Sequence, residues 1–191
     1  MDLDAFGVTP TKSFPDKLKD YFIEFFETIV VIGAIFTLIY LFVARVHKVS
    51  GNSMVPTFQS GDFLITEKVA YRLGSPKRGD IIVLKNPRNE SQDFIKRVIG
   101  LPGDDVEIEG GSVFINGQLL SEQYLPNNTS TAPGAFLTEG NTIKVGTNQY
   151  FVFGDNRNHS SDSRDWGGVT KREIVGKAFF RYWPPKDIGL L

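Results

Sequence analysis

The chain has no cysteine, and only two histidines, two methionines and two tryptophans among its 191 residues. The lack of cysteine excludes a disulfide framework, thiolate zinc sites and a cysteine nucleophile. It assigns no compartment, because an oxidising environment permits disulfides without requiring them. His47 and His159 are too few for a histidine-rich metal site, so neither a metal nor another cofactor is expected. An excess of charge of one sign is also missing: 21 Lys and Arg stand against 22 Asp and Glu, a formal net charge of −1. Charge therefore gives no ground for a nucleic-acid partner. No repeat and no low-complexity tract interrupts the chain. What is present is apolar: 41% of residues are hydrophobic, and the length suffices for one domain plus an attachment segment.

The largest apolar block runs from Thr28 to Ala44, TIVVIGAIFTLIYLFVA, 17 residues without a charge. Tyr21, Phe22, Ile23, Phe25 and Phe26 extend it upstream, broken by Glu24 and Glu27. A helix from Phe22 to Val43 would span roughly 33 Å, enough to cross a bilayer core. The aromatics at 21–26 and at Tyr40 and Phe42 suit the two interfaces. A cleaved leader would have a shorter apolar core and small residues at a cut site, and the exit Phe42-Val43-Ala44-Arg45 offers no such site. A helix packed against the core of a domain this small would keep a polar face toward water, and this segment is apolar all round. The expectation is an uncleaved anchor over 21–44, following an N-terminal cytoplasmic segment over 1–20. Lys12, Lys17 and Lys19 before it and Arg45 and Lys48 after it orient it only weakly.

Residues 45–191 read as β. Apolar, β-branched runs occur at Phe63–Val69, Asp80–Leu84, Phe94–Ile99, Val106–Ile108, Val113–Ile115, Thr142–Val145, Tyr150–Phe153 and Ile174–Tyr182. Gly- and Asp-rich turns separate them, and Asn116-Gly117 fits a type I′ hairpin turn. The polar stretch Ser121–Asn141 reads as a loop. The expected fold is a mainly β core with a small β insertion at about 105–150.

Three stretches could carry chemistry. Ser53 stands in Ser50-Gly51-Asn52-Ser53-Met54-Val55-Pro56-Thr57, a turn able to present a hydroxyl and leave backbone N–H groups unbonded. A polar loop leaving a membrane would look much the same. Lys96 stands in Phe94-Ile95-Lys96-Arg97-Val98-Ile99, where alternation puts Phe94, Lys96 and Val98 on one face and Arg97 on the other. A lysine among such neighbours loses hydration, which lowers its pKa and makes the neutral amine available as a base. The alternative is an edge-strand lysine that discourages pairing. The third stretch, Gly154–Arg164, is polar almost throughout, and its Asp and Arg residues could brace a loop. A Ser-His-Asp triad built on His159 with Asp155 or Asp162 is the competing arrangement, and it explains less of the chain.

In order, these stretches resemble the conserved boxes of the type I signal peptidases, membrane serine–lysine proteases. Ser50–Thr57 looks like the nucleophile box, Lys77-Arg78-Gly79-Asp80-Ile81-Ile82-Val83 like the R-G-D strand, Lys96–Asp104 like the lysine box and Gly154–Arg164 like the last box. The resemblance implies a signal-peptidase-like β catalytic core and roles residue by residue. Ser53 would be the acylated nucleophile, with its N–H in the oxyanion hole, and Lys96 the general base. Ser160 would hold the Lys96 amine, Asp162 and Arg164 would support the loop, and Asp155 with Arg97 would form a second brace. Some members carry an oxyanion-donating serine where this chain has Gly51, which leaves the second donor unnamed.

The substrates so implied are preproteins bearing signal peptides, cut after small residues at −1 and −3. They would be met at a bacterial cytoplasmic membrane, with the catalytic part outside and lipids as neighbours. An extended peptide could pair with edges at Lys48–Gly51 and Asp93–Ile95. Val49, Met54, Phe58, Phe94 and Ile95 are candidates for shallow pockets, or else ordinary core. Two other functions compete: an inactive anchored binding or scaffold protein, and a self-cleaving repressor-type protease. The latter would carry a DNA-binding region in place of an anchor.

Overall fold

The computed structural model describes residues 13–38 and 44–191, without the side chain of Arg72. The chain divides into two units, Met1–Leu41 and Phe42–Leu191.

The first unit holds one helix, α1, Phe14–Leu38. It begins about two turns before the expected span, at Phe14. The Ser13 hydroxyl donates to the Asp16 carboxylate at 2.6 Å, and Pro15 falls in the first turn, where its missing N–H costs nothing. The helix is long and apolar enough to cross a membrane, and no residue of it is buried. Within it the Thr28 and Thr37 hydroxyls donate to the carbonyls of Glu24 and Gly33, both at 2.8 Å, so neither is left unpaired. Residues 39–43 of the expected span lie outside the described residues.

The second unit is mainly β over its described residues, and the strand pairings are antiparallel. In chain order the strands are β1 (Ala44–Lys48), β2 (Phe63–Glu67), β3 (Ile81–Asn86), β4 (Asn89–Gly100), β5 (Asp105–Glu109), β6 (Ser112–Ile115), β7 (Gln118–Leu119) and β8 (Ile143–Lys144). Then follow β9 (Gln149–Phe153), β10 (Val169–Thr170), β11 (Ile174–Trp183) and β12 (Gly189–Leu190). Two one-turn helices, α2 (Ala70–Leu73) and α3 (Ser163–Trp166), interrupt them. The main sheet runs β1-β2-β11-β3-β4-β9-β10, with β12 on β11, and a smaller sheet runs β7-β6-β5-β8. The insertion is thus a sheet between Asp105 and Lys144, and β9 rejoins the main sheet from Gln149. The β6–β7 turn is the expected Asn116-Gly117 pair, both at positive φ.

Burial follows the alternation of the strands. On β4, Val98 packs with Ile82, Leu84 and Val152, while Ile99 turns to a second cluster with Val106, Ile108, Phe151 and Phe153 that ties the small sheet to the main one. Gly100 sits at this junction, where a methyl group would press on Val106, Phe151 and Val145. A third cluster, Val49, Met54, Phe58, Leu64, Ile81 and Ala178, anchors the segment between β1 and β2.

β4 is the strand that positions the site. It pairs with β3 through Arg97 and Lys96 down to Asp93, but with β9 only from Arg97 to Gly100. Its second edge is therefore unpaired over Asp93–Lys96 among the described residues. Among the described residues β1 pairs with β2 alone, and its outer edge makes no strand pairing.

Candidate active site

Between these two edges lies a cleft of about 340 Å³, lined by His47 to Met54, Val83, Asp93 to Lys96, His159 and Ser161. A larger hollow of about 870 Å³ around Tyr150, Lys171 and Arg172 touches neither Ser53 nor Lys96, so size alone does not mark the chemistry.

Ser53 and Lys96, 43 positions apart in sequence, meet in the cleft: Lys96 Nζ and Ser53 Oγ are joined by a hydrogen bond of 2.8 Å. Lys96 is 2% exposed. Burial takes water from its ammonium and lowers the pKa from 10.5 to about 8; Asp162 and Asp155 oppose this and Arg164 adds to it. As alternation requires, the amine sits over the Phe94 ring on its own face of β4, 5.1 Å from the centroid.

The serine turn is held from several sides. Gly51 takes φ +92°, a backbone angle that favours glycine, and its N–H points to Ser60 Oγ at 3.4 Å. Met54 and Phe58 sink into the core and close a helical turn through Phe58 N–H to Met54 O at 2.9 Å. The Ser53 carbonyl accepts from Asn156 N–H at 3.0 Å, and the Asn52 carbonyl from the Asn156 side chain at 3.0 Å. The Ser53 N–H makes no hydrogen bond among the described residues. Gly154 allows this close approach, because a Cβ there would strike the Ser53 carbonyl and the Ser160 side chain.

Two buried ion pairs brace the surroundings. Arg97 grips Asp155 in a fork, Nε to Oδ1 at 2.8 Å and Nη2 to Oδ2 at 2.7 Å, and also donates to Gly79 O at 3.0 Å. Arg164 grips Asp162 in the same way, at 2.8 and 2.7 Å. Asp162 further caps α3 and accepts from Gly154 N–H at 2.9 Å. Both carboxylates are thus occupied, and exposed His159 bonds to neither; the triad is not assembled.

Two expectations need correction. Ser160 does not hold the Lys96 amine: its Oγ is buried against Gly154 without a hydrogen-bond partner. Phe58 does not reach the cleft. It is 0% exposed, packed in the third cluster under the Arg181 guanidinium, because the turn that raises Ser53 points it inward. Val49, Met54, Phe94 and Ile95 do line the cleft.

Three residues missed in the sequence belong to the same network. Thr57 Oγ1 donates to Asp155 Oδ2 at 2.5 Å. Glu122 pairs with buried Arg157, and Tyr124 lies under Arg97 with the guanidinium 3.8 Å from its ring centroid. Thr57 stands inside the serine box, where a hydroxyl four residues past Ser53 is a visible signal; the loop pattern around Glu122 and Tyr124 carries none. His47 lines the cleft with Nδ1 4.0 Å from Asp93; its burial lowers its pKa against the pull of that carboxylate. Among the described residues no group of three or more His, Asp or Glu side chains is placed to hold a metal ion.

Comparison with known proteins gives a consistent picture. A family model described as "Signal peptidase, peptidase S26" matches residues 22–183. The chain is 46% identical over 156 residues to a probable signal peptidase I-2 of Synechocystis sp., covering 78% of this chain and 68% of that protein. It is 42% identical over 158 residues to a signal peptidase I of Leptolyngbya laminosa, covering 78% and 74%. Among solved structures it resembles a signal peptidase I of Enterococcus faecalis, with 36% identity, 53% of this chain and 95% of that chain covered, and a TM-score of 0.45.

Proposed function

The chain belongs to the signal peptidase family, peptidase S26, and on that premise we propose that it removes signal peptides from exported preproteins as a membrane-bound Ser53–Lys96 endopeptidase. The observation that carries this is the 2.8 Å bond between a serine hydroxyl and a buried lysine whose pKa is brought down to about 8.

At that pKa a useful fraction of Lys96 is neutral near pH 7 to 8, and the neutral amine accepts the Ser53 proton as Oγ attacks the substrate carbonyl. The Ser53 N–H, without an acceptor of its own, is available to the oxyanion. The lysine ammonium then protonates the departing amine, leaving an acyl group on Ser53. Water enters, Lys96 accepts its proton, and hydrolysis of the ester releases the signal peptide and restores the serine.

The substrate lies extended between the unpaired edges of β1 and β4, which offer backbone donors and acceptors on both sides. Val49, Met54, Phe94 and Ile95 shape shallow apolar pockets there, suited to small side chains at −1 and −3. The helix α1 serves as the membrane anchor, with the catalytic unit on the outer side. Asp155–Arg97 and Asp162–Arg164 keep β4 and the Gly154–Arg164 loop in register with the serine turn.

The test is cleavage of a signal-peptide-bearing preprotein in detergent by the wild type, Ser53→Ala and Lys96→Ala. Only the wild type is expected to cut. Full cleavage by Lys96→Ala would refute the mechanism, and absence of cleavage by a folded wild type would favour an anchored binding protein.

A further inference from the structure

The segment after β7 carries Glu122 and Tyr124 into contact with two buried arginines beside the candidate site, Arg157 and Arg97. The Glu122 carboxylate grips the Arg157 guanidinium with both oxygens, one bond measuring 2.9 Å, and also accepts from the Tyr124 hydroxyl. The Arg157 side chain is 0% exposed, and Glu122 is the only carboxylate bonded to it among the described residues. Its Nε donates to Gly154 O at 3.1 Å, at the start of the turn whose Asn156 N–H holds the Ser53 carbonyl. Tyr124 meanwhile stacks under Arg97, the neighbour of Lys96 on β4.

We propose that Glu122 and Tyr124 are positioning residues for the dyad, one setting the turn that fixes Ser53 and the other the strand that carries Lys96. The proposal rests on the serine–lysine reading above. Among the described residues Glu122 alone matches the charge of Arg157; its other partners, Gly154 O, Thr131 Oγ1 at 2.8 Å and the Tyr124 hydroxyl, are neutral. Without Glu122 the guanidinium must seek another partner or water, and the Gly154–Asn156 turn moves with it. A shift of about 1 Å at a reacting group can cost on the order of 100-fold in rate. Neither residue lines the cleft, so substrate binding is spared. The small sheet thereby gains a part in the reaction through the segment that leaves it.

The experiment is steady-state cleavage of a signal-peptide substrate by the full chain in detergent, below the melting temperature of every variant. Glu122→Gln keeps the size of the side chain and removes its charge. It is expected to lower kcat at least tenfold with KM within twofold, and Glu122→Asp to recover most of the loss. Tyr124→Leu is expected to lower kcat about tenfold, while Tyr124→Phe, which retains the ring under Arg97, stays within threefold. A purely structural role would instead lower activity in proportion to the folded fraction. The proposal is overturned if fully folded Glu122→Gln and Tyr124→Leu both keep kcat within threefold of wild type, or if Glu122→Asp is no better than Glu122→Gln. Should Glu122→Gln not fold, the two Tyr124 variants decide. Ser53→Ala is assayed alongside: cleavage equal to wild type would overturn the dyad and its positioning together. An inactive Ser53→Ala beside a near-normal Glu122→Gln and Tyr124→Leu would overturn the positioning alone.

Discussion

Replacing Lys96 with methionine should abolish cleavage and, at neutral pH, make the protein more stable. Lys96 is 2% exposed, and burial lowers its pKa from 10.5 to about 8. At about 1.4 kcal/mol per pH unit, that difference corresponds to about 3 kcal/mol. Below pH 8 both the folded and the unfolded chain hold the proton, so the folded state bears the whole cost of a buried ammonium. Between pH 8 and 10.5 the unfolded chain keeps a proton that the folded chain has released, and stability rises with pH. Above 10.5 both are neutral and the cost is gone. Methionine retains most of the apolar stem without the charge, but gives up the hydrogen bond to Ser53, worth about 1 kcal/mol. The net gain for Lys96→Met is thus about 2 kcal/mol at pH 7, or about 4 to 8 °C in Tm for a chain of this size. The gain should vanish or reverse by pH 10.5. Thermal melts of wild type and variant in the same detergent at pH 7 and 10.5 measure it. A difference in Tm that is absent at pH 7, or equal at both pH values, would refute the account of a desolvated lysine.

Three further outcomes follow from the same geometry. The kcat/KM for a signal-peptide substrate should fall about tenfold per pH unit below pH 8, as Lys96 takes up a proton; a profile flat down to pH 6 contradicts a lysine base. Asp155→Asn leaves the buried Arg97 fork uncompensated and should cost about 3 to 5 kcal/mol, read by denaturant unfolding of the catalytic unit. Phe58→Ala should cost about 3 to 5 kcal/mol as a core truncation while leaving the preference for residues at −1 and −3 unchanged in a peptide series, because its ring does not reach the cleft.

The strands that alternate cleanly between Gly- and Asp-marked turns were legible in the sequence: β2, β3, β5, β6, β9 and β11 fall on the expected runs. β1 escaped because Arg45-Val46-His47-Lys48 has three polar side chains in four positions and follows directly on an apolar run. The first half of β4, Asn89–Asp93, escaped for a related reason. It is polar on both faces and held only by pairing with β3, and a pairing partner leaves no mark on local composition. Ser53 and Lys96, which the structure brings together, each sit in a distinctive local setting in the sequence. The expected Ser160–Lys96 bond was not made, since an order of boxes does not state where a hydroxyl points. Glu122 and Tyr124 were hidden because a carboxylate and an aromatic ring in a polar loop look solvated until the fold supplies two arginines.

Around Ser53 and Lys96 the charges of the paired arginines and carboxylates balance. Arg97, Arg157 and Arg164 carry three positive charges, and Glu122, Asp155 and Asp162 three negative ones. The cluster is electrically neutral only while the Lys96 amine is unprotonated. A proton arriving from solvent leaves an unbalanced cation in a region with little water. A proton arriving from Ser53 does not, because an oxyanion of opposite sign forms in the same step a few ångströms away. The surroundings of Lys96 therefore discriminate between the two sources of the proton, and favour the one that the proposed reaction would supply.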